Sequence, residues 1–404
     1  MVPSFTDILR TELTSRRMEL DTMSYDDEIA AKQSALDLLC RRLSLGLRPE
    51  TLQASPLPRG YRTTSRRRIR GQGRNFTLEL RTAAGGASLE PLSHLAIFEK
   101  MAEILRRPTM GHLTRDLNHV IARGMGNEPS VIFNLRSLDG AKIRRLRTAV
   151  DELRALETPI RSAHVFVDPS GSDYYLEADR PKGRLSWKTL YGPDHLRLCL
   201  RERILRYHPT AFCQINGSLI PAMVDTAERL LSPLASERLL DLYCGFGLFG
   251  LCLSDKVSAV LGMDWEGAAI ESAKENAKRD PKSTSLSFRA MTINAEALRK
   301  LQPPKAGVDE LILLDPPRSG AVNGVVEALA ERHPKRVVHV LCNVDRLGLE
   351  LGEWRRCGYE ASALACLDMF PGTLHLELML KLEPRASSTA RPSRNGPAAR
   401  PRPR

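Results

Sequence analysis

An α/β fold is predicted for this chain, and three observations predict it. From about residue 201 short apolar strands alternate with longer amphipathic helices, the first strand runs into a glycine turn, and acidic or nucleophilic residues stand just after several strands. Such alternation builds an open, mostly parallel sheet with helices on both faces, whose ligands bind at the carboxyl ends of the strands. The chain has 404 residues. One core usually supports ~250 to 300 residues, so more than one domain is expected.

Taken in order, residues 1–48 read as an N-terminal helical extension. Apolar positions such as Ile8, Leu9, Leu13, Leu36, Leu39 and Leu43 recur at helical spacing from 6 to 46. Residues 49–200 are expected to form an α+β domain. It opens with a loop rich in proline, glycine and arginine from Ser55. Strands Leu117–Arg123 and Ser130–Leu135 pair around Gly124 and Gly126, followed by a helix Asp139–Leu156 and a strand Ala163–Val167. Residues 201–383 carry the strands Arg238–Leu242, Val257–Met263, Leu286–Ala290, Glu310–Leu314 and Arg336–Leu341. The helices Ser218–Leu231, Ala268–Lys278, Ala295–Leu301 and Asn323–Arg332 fit between them. Residues 384–404, rich in Arg, Pro, Ser and Ala, lack the apolar side chains to form a core and are expected to be a disordered basic tail.

Sixty Lys and Arg against 48 Asp and Glu give a formal charge of +12. Two acid-free segments, 61–74 and 384–404, carry that whole surplus as arginine, and the rest of the chain is neutral. Clustered arginine points to a polyanionic partner. The eight cysteines are scattered, with no CxxC or Cys/His cluster at metal-ligand spacing, so reduced thiols and no metal site are expected. No apolar run approaches the ~18 residues of a membrane span, and the N-terminus lacks the pattern of a signal peptide. A cytoplasmic protein without membrane association is expected, with a monomer assumed.

The chemistry lies in the loops after the strands. In LLDLYCGFGLFGL, Gly245 and Gly247 follow the first strand at a helix N-terminus, where backbone can approach a nucleotide-like ligand closely. A tight strand-to-helix turn without ligand has the same signature. The second strand ends at Asp264, placed to accept the hydroxyls of a ribose. The fourth ends in LILLDPPRSG, where two prolines after Asp315 stiffen a loop that also carries Arg318. The fifth delivers Cys342 and Asn343 to the same edge. A cysteine in an apolar strand is ordinarily core packing, but this one stands at the strand's carboxyl end, and Arg318 or a local backbone dipole is expected to lower its pKa. Glu377 follows in LDMFPGTLHLE as a candidate general base, a strand-edge surface charge being the plainer alternative.

With these residues in view, the stretch from Phe212 to Leu382 resembles the RNA 5-methyluridine (uracil-C5) methyltransferases, which modify tRNA and ribosomal RNA. Five motifs occur in the family's order: Phe212, Gln214 and Asn216 as Phe-x-Gln-x-Asn; Asp-Leu-Tyr-Cys-Gly-x-Gly from Asp241; Asp-Pro-Pro-Arg-x-Gly from Asp315; Cys342-Asn343; and Asp-x-Phe-Pro-x-Thr-x-His-x-Glu from Asp368. The resemblance implies a Rossmann-like domain dependent on S-adenosyl-L-methionine (SAM), with Cys342 as nucleophile and Glu377 as general base. It implies that Gln214, Tyr243, Asp264 and Asp315 contact SAM beside Gly245 and Gly247, and that Phe212 lines the uracil pocket. Pro-x-x-x-Tyr-Arg up to Arg62 resembles an RNA-facing element of the family. Arg62, Arg66, Arg67, Arg68 and Arg318 are accordingly the candidate RNA contacts, and the α+β domain at 49–200 is expected to bind RNA. Leu341 and Val344 stand where the family commonly has Ser and Pro. The four-cysteine iron–sulfur motif of many ribosomal members is not found, so no iron–sulfur cluster is expected. That leans to a tRNA substrate, while Asp-Met-Phe-Pro at 368–371 looks more like a ribosomal type.

The chemistry of uracil agrees with this pairing of thiol and carboxylate. C5 is too weak a nucleophile to attack a methyl sulfonium unaided, so a thiolate adds at C6 and a base later removes the C5 proton. Three other classes share part of the pattern. A methyltransferase for an exocyclic amine needs neither Cys342 nor Glu377, a dehydrogenase fits only the glycine loop and Asp264, and a non-catalytic RNA-binding protein fits only the arginines.

Overall fold

The computed structural model describes residues 4–15, 19–20, 22–72, 75–80, 89–125, 127–171, 186–265 and 267–385. Almost all of the C-terminal tail, together with Arg74 and Gly126, lies outside them. Two helices begin the chain, α1 (Phe5–Ser15) and α2 (Tyr25–Arg42), where the sequence predicts one helical stretch. Ser24 starts the second by accepting a hydrogen bond from the Asp27 backbone, an N-cap written in the sequence as Ser-Tyr-Asp-Asp.

A six-stranded sheet follows, built from β1 (Thr64–Gln72), β2 (Asn75–Leu80), β3 (Leu117–Arg123), β4 (Ser130–Leu135), β5 (Ser162–Val167) and β6 (Ser186–Tyr191) in the order β2-β1-β3-β4-β5-β6. Helices α3 (Leu92–Leu105), α4 (Gly111–Asp116) and α5 (Gly140–Arg154) pack on it, sharing a core with Val120, Val131, Phe133 and Val165. The arginine segment expected as a loop is therefore a strand. Its alternation of Ser, Arg and Ile has no apolar face of its own, and pairing with β3 from Thr64↔Arg123 to Arg68↔His119 makes it one.

A hairpin of β7 (Leu196–Leu200) and β8 (Arg203–Tyr207) leads into the second unit. The expected boundary at residue 200 falls in its turn. Leu196, Leu198, Leu200, Leu205 and Tyr207 all pack into one C-terminal core, so the hairpin belongs to that unit. There α6 (Ile220–Leu231), β9 (Arg238–Leu242), α7 (Leu248–Cys252), β10 (Ala259–Asp264), α8 (Ala268–Arg279), β11 (Leu286–Ala290), α9 (Ala295–Arg299), β12 (Glu310–Leu314), α10 (Val325–Ala330), β13 (Arg336–Leu341), α11 (Leu347–Arg356), β14 (Tyr359–Leu367) and β15 (Glu377–Pro384) form a seven-stranded sheet with helices. Its order is β11-β10-β9-β12-β13-β15-β14. The first five strands are parallel and β15 runs antiparallel between β13 and β14. Strands buried on both faces read as unbroken apolar runs, as in ELILL of β12. Alternate side chains part to opposite faces: Leu240, Leu242, Ile312 and Leu314 to one core, Leu239, Leu311 and Leu313 to the other.

The N-terminal helices are part of this unit. Phe5, Ile8, Leu9, Leu13, Ala31, Leu36 and Leu39 share a core with Leu347, Leu351, Trp354 and Leu376. Between the two sheets, buried Arg123 donates to the carbonyls of Pro209 and, at 2.9 Å, Ala211. The Thr63 backbone donates to the Ile215 carbonyl at 2.8 Å.

Candidate active site

The carboxyl ends of β9, β10, β12 and β13 lie side by side, and the order reverses between β9 and β12, where the chain leaves the first strand for opposite edges. At the end of β9, Tyr243 adopts φ 58°, a conformation uncommon for a residue with a side chain, and Gly245 and Gly247 follow at φ 56° and 87°. The φ of Gly247 strains any other residue there, and an added Cβ would also press on the Leu251 side chain at 2.8 Å and on the Phe288 ring. Asp264 at the end of β10 holds this loop: its two oxygens accept the backbone N–H groups of Gly245 and Trp265, each at 2.7 Å. Asp241 holds it from below by accepting Gly250 N–H at 2.8 Å.

Asp315 follows β12, and its backbone donates to the Leu242 carbonyl at 3.2 Å. Its Oδ2 lies 3.5 Å from Gln214 Nε2. Gln214 comes from the segment that joins the two units: its carbonyl accepts from the Thr63 hydroxyl at 2.9 Å. Phe212, two residues earlier, is 51% exposed.

Cys342 follows β13 directly. Glu377 opens β15, opposite Leu367 of β14. On its other side β15 pairs with β13 through Leu341↔Leu378, so continuing that register by one residue sets Cys342 across from Glu377. Glu377 is 1% exposed and its Oε2 has no hydrogen-bond partner. The surface-charge alternative is thereby removed.

Electrostatics set the resting state. Burial, then the charge of Asp315, holds the Glu377 carboxyl well above the usual range, with Arg318 opposing. Burial and Asp264 push Asp315 up to about 7, and burial pushes Asp241 up to about 8 with Asp315 and Asp264 adding. The Cys342 thiol rises to about 12, chiefly by burial, with Glu377 and Asp315 adding and Arg318 opposing. Arg318 does not outweigh burial, so the expected lowering of the thiol pKa is overturned. Four acids share this edge, Asp241 and Glu377 buried and Asp264 and Asp315 partly exposed, and Asp241 Oδ1 and Glu377 Oε2 are unpartnered. Such a cluster suits a cationic ligand, whose charge would favour ionised carboxylates. A sulfonium fits such a cluster.

The candidate RNA residues divide. Arg62 is joined to Asn216 by a backbone bridge. Arg66 and Arg68 are partly exposed. Arg67 points the other way: it is 6% exposed, pairs with Glu90 at 2.9 and 2.6 Å, and lies 4.1 Å over the Phe98 ring. Strand alternation turns it inward, which corrects its assignment to RNA. Arg68 and Arg70 line a cavity of 240 Å³ with Arg115 and Arg136, two arginines that no basic run in the sequence marks. Arg318, in the loop after Asp315, is exposed near the site.

Comparison with known proteins follows from this geometry. A sequence model of the tRNA (uracil-5-)-methyltransferase family matches residues 178–385. The 23S rRNA (uracil(1939)-C(5))-methyltransferase RlmD of Pseudomonas aeruginosa is 29% identical over 372 residues, covering 90% of this chain and 77% of that one. The RlmD of Alkalilimnicola ehrlichii is 40% identical over 178 residues, 43% of this chain and 39% of that one. In structure, the Pyrococcus abyssi tRNA (uracil-54, C5)-methyltransferase, solved with S-adenosyl-L-homocysteine, superposes with a TM-score of 0.65 at 22% identity. It covers 90% of this chain and 84% of that one, and shares the fold.

Proposed function

The chain belongs to the tRNA (uracil-5-)-methyltransferase family, and from that premise we propose that it forms 5-methyluridine in tRNA or ribosomal RNA, with SAM as methyl donor. The observation that carries the reading is the meeting of half-buried Cys342 and buried Glu377 at one strand end, on the acidic edge of the sheet that also carries the glycine loop. SAM, when bound, supplies an electrophilic methyl group on a positively charged sulfur. Gly245, Gly247, Asp264, Tyr243, Gln214 and Asp315 are the residues to hold it.

Cys342, once ionised, adds through sulfur to C6 of the uracil, and the C5–C6 π pair moves to C5. C5 takes the methyl group. Glu377, as carboxylate, then removes the C5 proton, the pair re-forms the double bond and the sulfur leaves C6 with its electrons. In the ligand-free protein both groups are pushed toward their protonated forms, chiefly by burial, and the charge of the cationic donor, by offsetting the crowding of carboxyls, favours their ionisation. The target uridine has to leave its stack at a cost of a few kcal/mol. Phosphate contacts from Arg66 and Arg68 on β1, continued by Arg70, Arg115 and Arg136, offset that cost without reading sequence. β1 starts beside Gln214 and Asn216, and from Arg62 to Arg68 it advances about 20 Å at the usual strand rise. That distance is enough to follow several nucleotides away from the pocket.

The test is Cys342→Ala, which is expected to bind SAM and RNA and transfer no methyl group. Undiminished turnover would refute attack at C6 and favour methylation of an exocyclic amine. Mass spectrometry of tRNA and ribosomal RNA from cells lacking the protein identifies the substrate by the loss of 5-methyluridine from one of them.

A further inference from the structure

We propose that Lys32 and Tyr25 are positioning residues for the general base, acting through a buried charge cluster that fastens the turn leading into Glu377. The inference rests on the role given to Glu377 above. Lys32 and Glu28 lie one turn apart on α2, both fully buried, with Nζ 2.7 Å from Oε1. Lys32 Nζ also donates to Asp368 Oδ1 at 2.8 Å and to the Phe370 carbonyl at 3.3 Å. Glu28 Oε1 accepts the Gly372 backbone N–H at 2.7 Å. The Tyr25 hydroxyl donates to Asp368 Oδ2 at 3.0 Å and accepts the Ser55 N–H at 2.6 Å. The Tyr61 hydroxyl donates to the Pro371 carbonyl at 3.1 Å. Arg59 lies 3.7 Å from Glu28, so two cations face two anions.

These bonds converge on residues 368 to 372. From there the turn continues through Thr373, whose hydroxyl donates to the Phe370 carbonyl at 2.8 Å, and reaches Glu377 at the start of β15. Leu367 and Glu377 face each other across β14 and β15, so the segment between them is a closed loop, and α2 pins its interior from more than 330 positions away in the chain.

Magnitudes favour a positional role over a purely stabilising one. A buried ion pair seldom outdoes apolar packing of the same volume, because desolvation offsets the attraction. What it adds is direction, since Lys32 Nζ reaches Glu28, Asp368 and the Phe370 carbonyl at once and the Tyr25 hydroxyl fixes the other oxygen of Asp368. A base that must meet a proton within hydrogen-bond reach needs that, and a misplacement of ~1 Å costs on the order of 100-fold in rate. The N-terminal helices thus brace the loop that carries the base.

The experiment compares full-length Tyr25→Phe, Lys32→Arg, Lys32→Met and Glu377→Gln with the parent chain, well below each melting temperature. Lys32→Met strands two buried carboxylates, so Tyr25→Phe, which leaves every charge paired, is the primary variant. The readouts are SAM affinity, the single-turnover rate of covalent protein–RNA adduct formation, and the rate of product release from that adduct on denaturing gels. Tyr25→Phe is expected to keep SAM affinity and adduct formation while releasing product about 10-fold more slowly, a loss within the range for displaced catalytic groups. Lys32→Arg is expected to fall between it and the parent. Unchanged release in Tyr25→Phe, or equal slowing of formation and release, overturns the positioning role. Failure of Glu377→Gln to hold an adduct at all removes the base assignment itself. A persistent adduct there with normal release from Tyr25→Phe overturns only the role of the cluster.

Discussion

Cys342 is the residue on which the account turns, and its resting thiol is held up to about 12. Below that value the thiolate fraction rises tenfold per pH unit, so alkylation of Cys342 in the ligand-free protein is expected to accelerate about tenfold per unit from pH 7 to 9. SAM is expected to raise that rate at fixed pH, because its positive charge offsets the neighbouring carboxyls. Peptide mapping after iodoacetamide pulses reads both effects, and a pH-independent rate would contradict the buried-thiol picture. Each half of the Cys342 and Glu377 pair was legible in the sequence, one at a strand's end and the other in an acid-rich turn. Their adjacency was not, because it depends on β15 inserting antiparallel between β13 and β14, a matter of topology that no local pattern encodes.

At the scale of elements, β1 shows why a basic run is not a uniform RNA surface. A strand sends neighbouring side chains to opposite faces, so Arg67 is structural while Arg66 and Arg68 face the other way. Arg67→Ala takes from the largely buried Glu90 carboxylate the cation that pairs with both its oxygens and is expected to cost about 3 kcal/mol of stability, read as a lower denaturant midpoint, with the salt dependence of RNA binding unchanged. Arg115→Ala combined with Arg136→Ala is expected to do the reverse. Losing two phosphate contacts should reduce the slope of log affinity against log salt by about 1.5, with stability kept. An unchanged slope would separate the 240 Å³ arginine cavity from RNA. This strand was missed in the sequence because it lacks apolar alternation and owes its form to β3. The α2 contacts were missed for a related reason: Glu28 and Lys32 at helical spacing look like a solvated pair, and only the fold brings Asp368 to them.

Over the whole molecule, folding raises the pKa values of the acids at the carboxyl ends of the strands. Asp315 at about 7 and Asp241 at about 8 stand above their unfolded values of roughly 4. A raised carboxyl pKa favours folding in the acid range, and that contribution is lost as pH rises through the folded value. The ligand-free protein is therefore expected to melt at progressively lower temperature from about pH 4, the unfolded value, to about pH 8, the higher folded one, and Asp315→Asn should flatten part of that slope. Saturating SAM should flatten it as well, since a cation in the pocket favours the ionised acids. A melting profile that is level or rising over this range in the ligand-free protein would contradict the account.

The proposed mechanism rests on one covalent bond, between Cys342 sulfur and uracil C6. Replacing the C5 hydrogen by fluorine leaves nothing for Glu377 to remove as a proton, so an adduct formed by the intact enzyme has no route to release. Incubation of the full chain with SAM and RNA containing 5-fluorouridine, followed by peptide mass spectrometry, is expected to give a stable protein–RNA adduct that carries one added methyl group and maps to Cys342. Absence of an adduct under conditions where ordinary RNA is methylated, or its attachment to another residue, would contradict nucleophilic attack by Cys342.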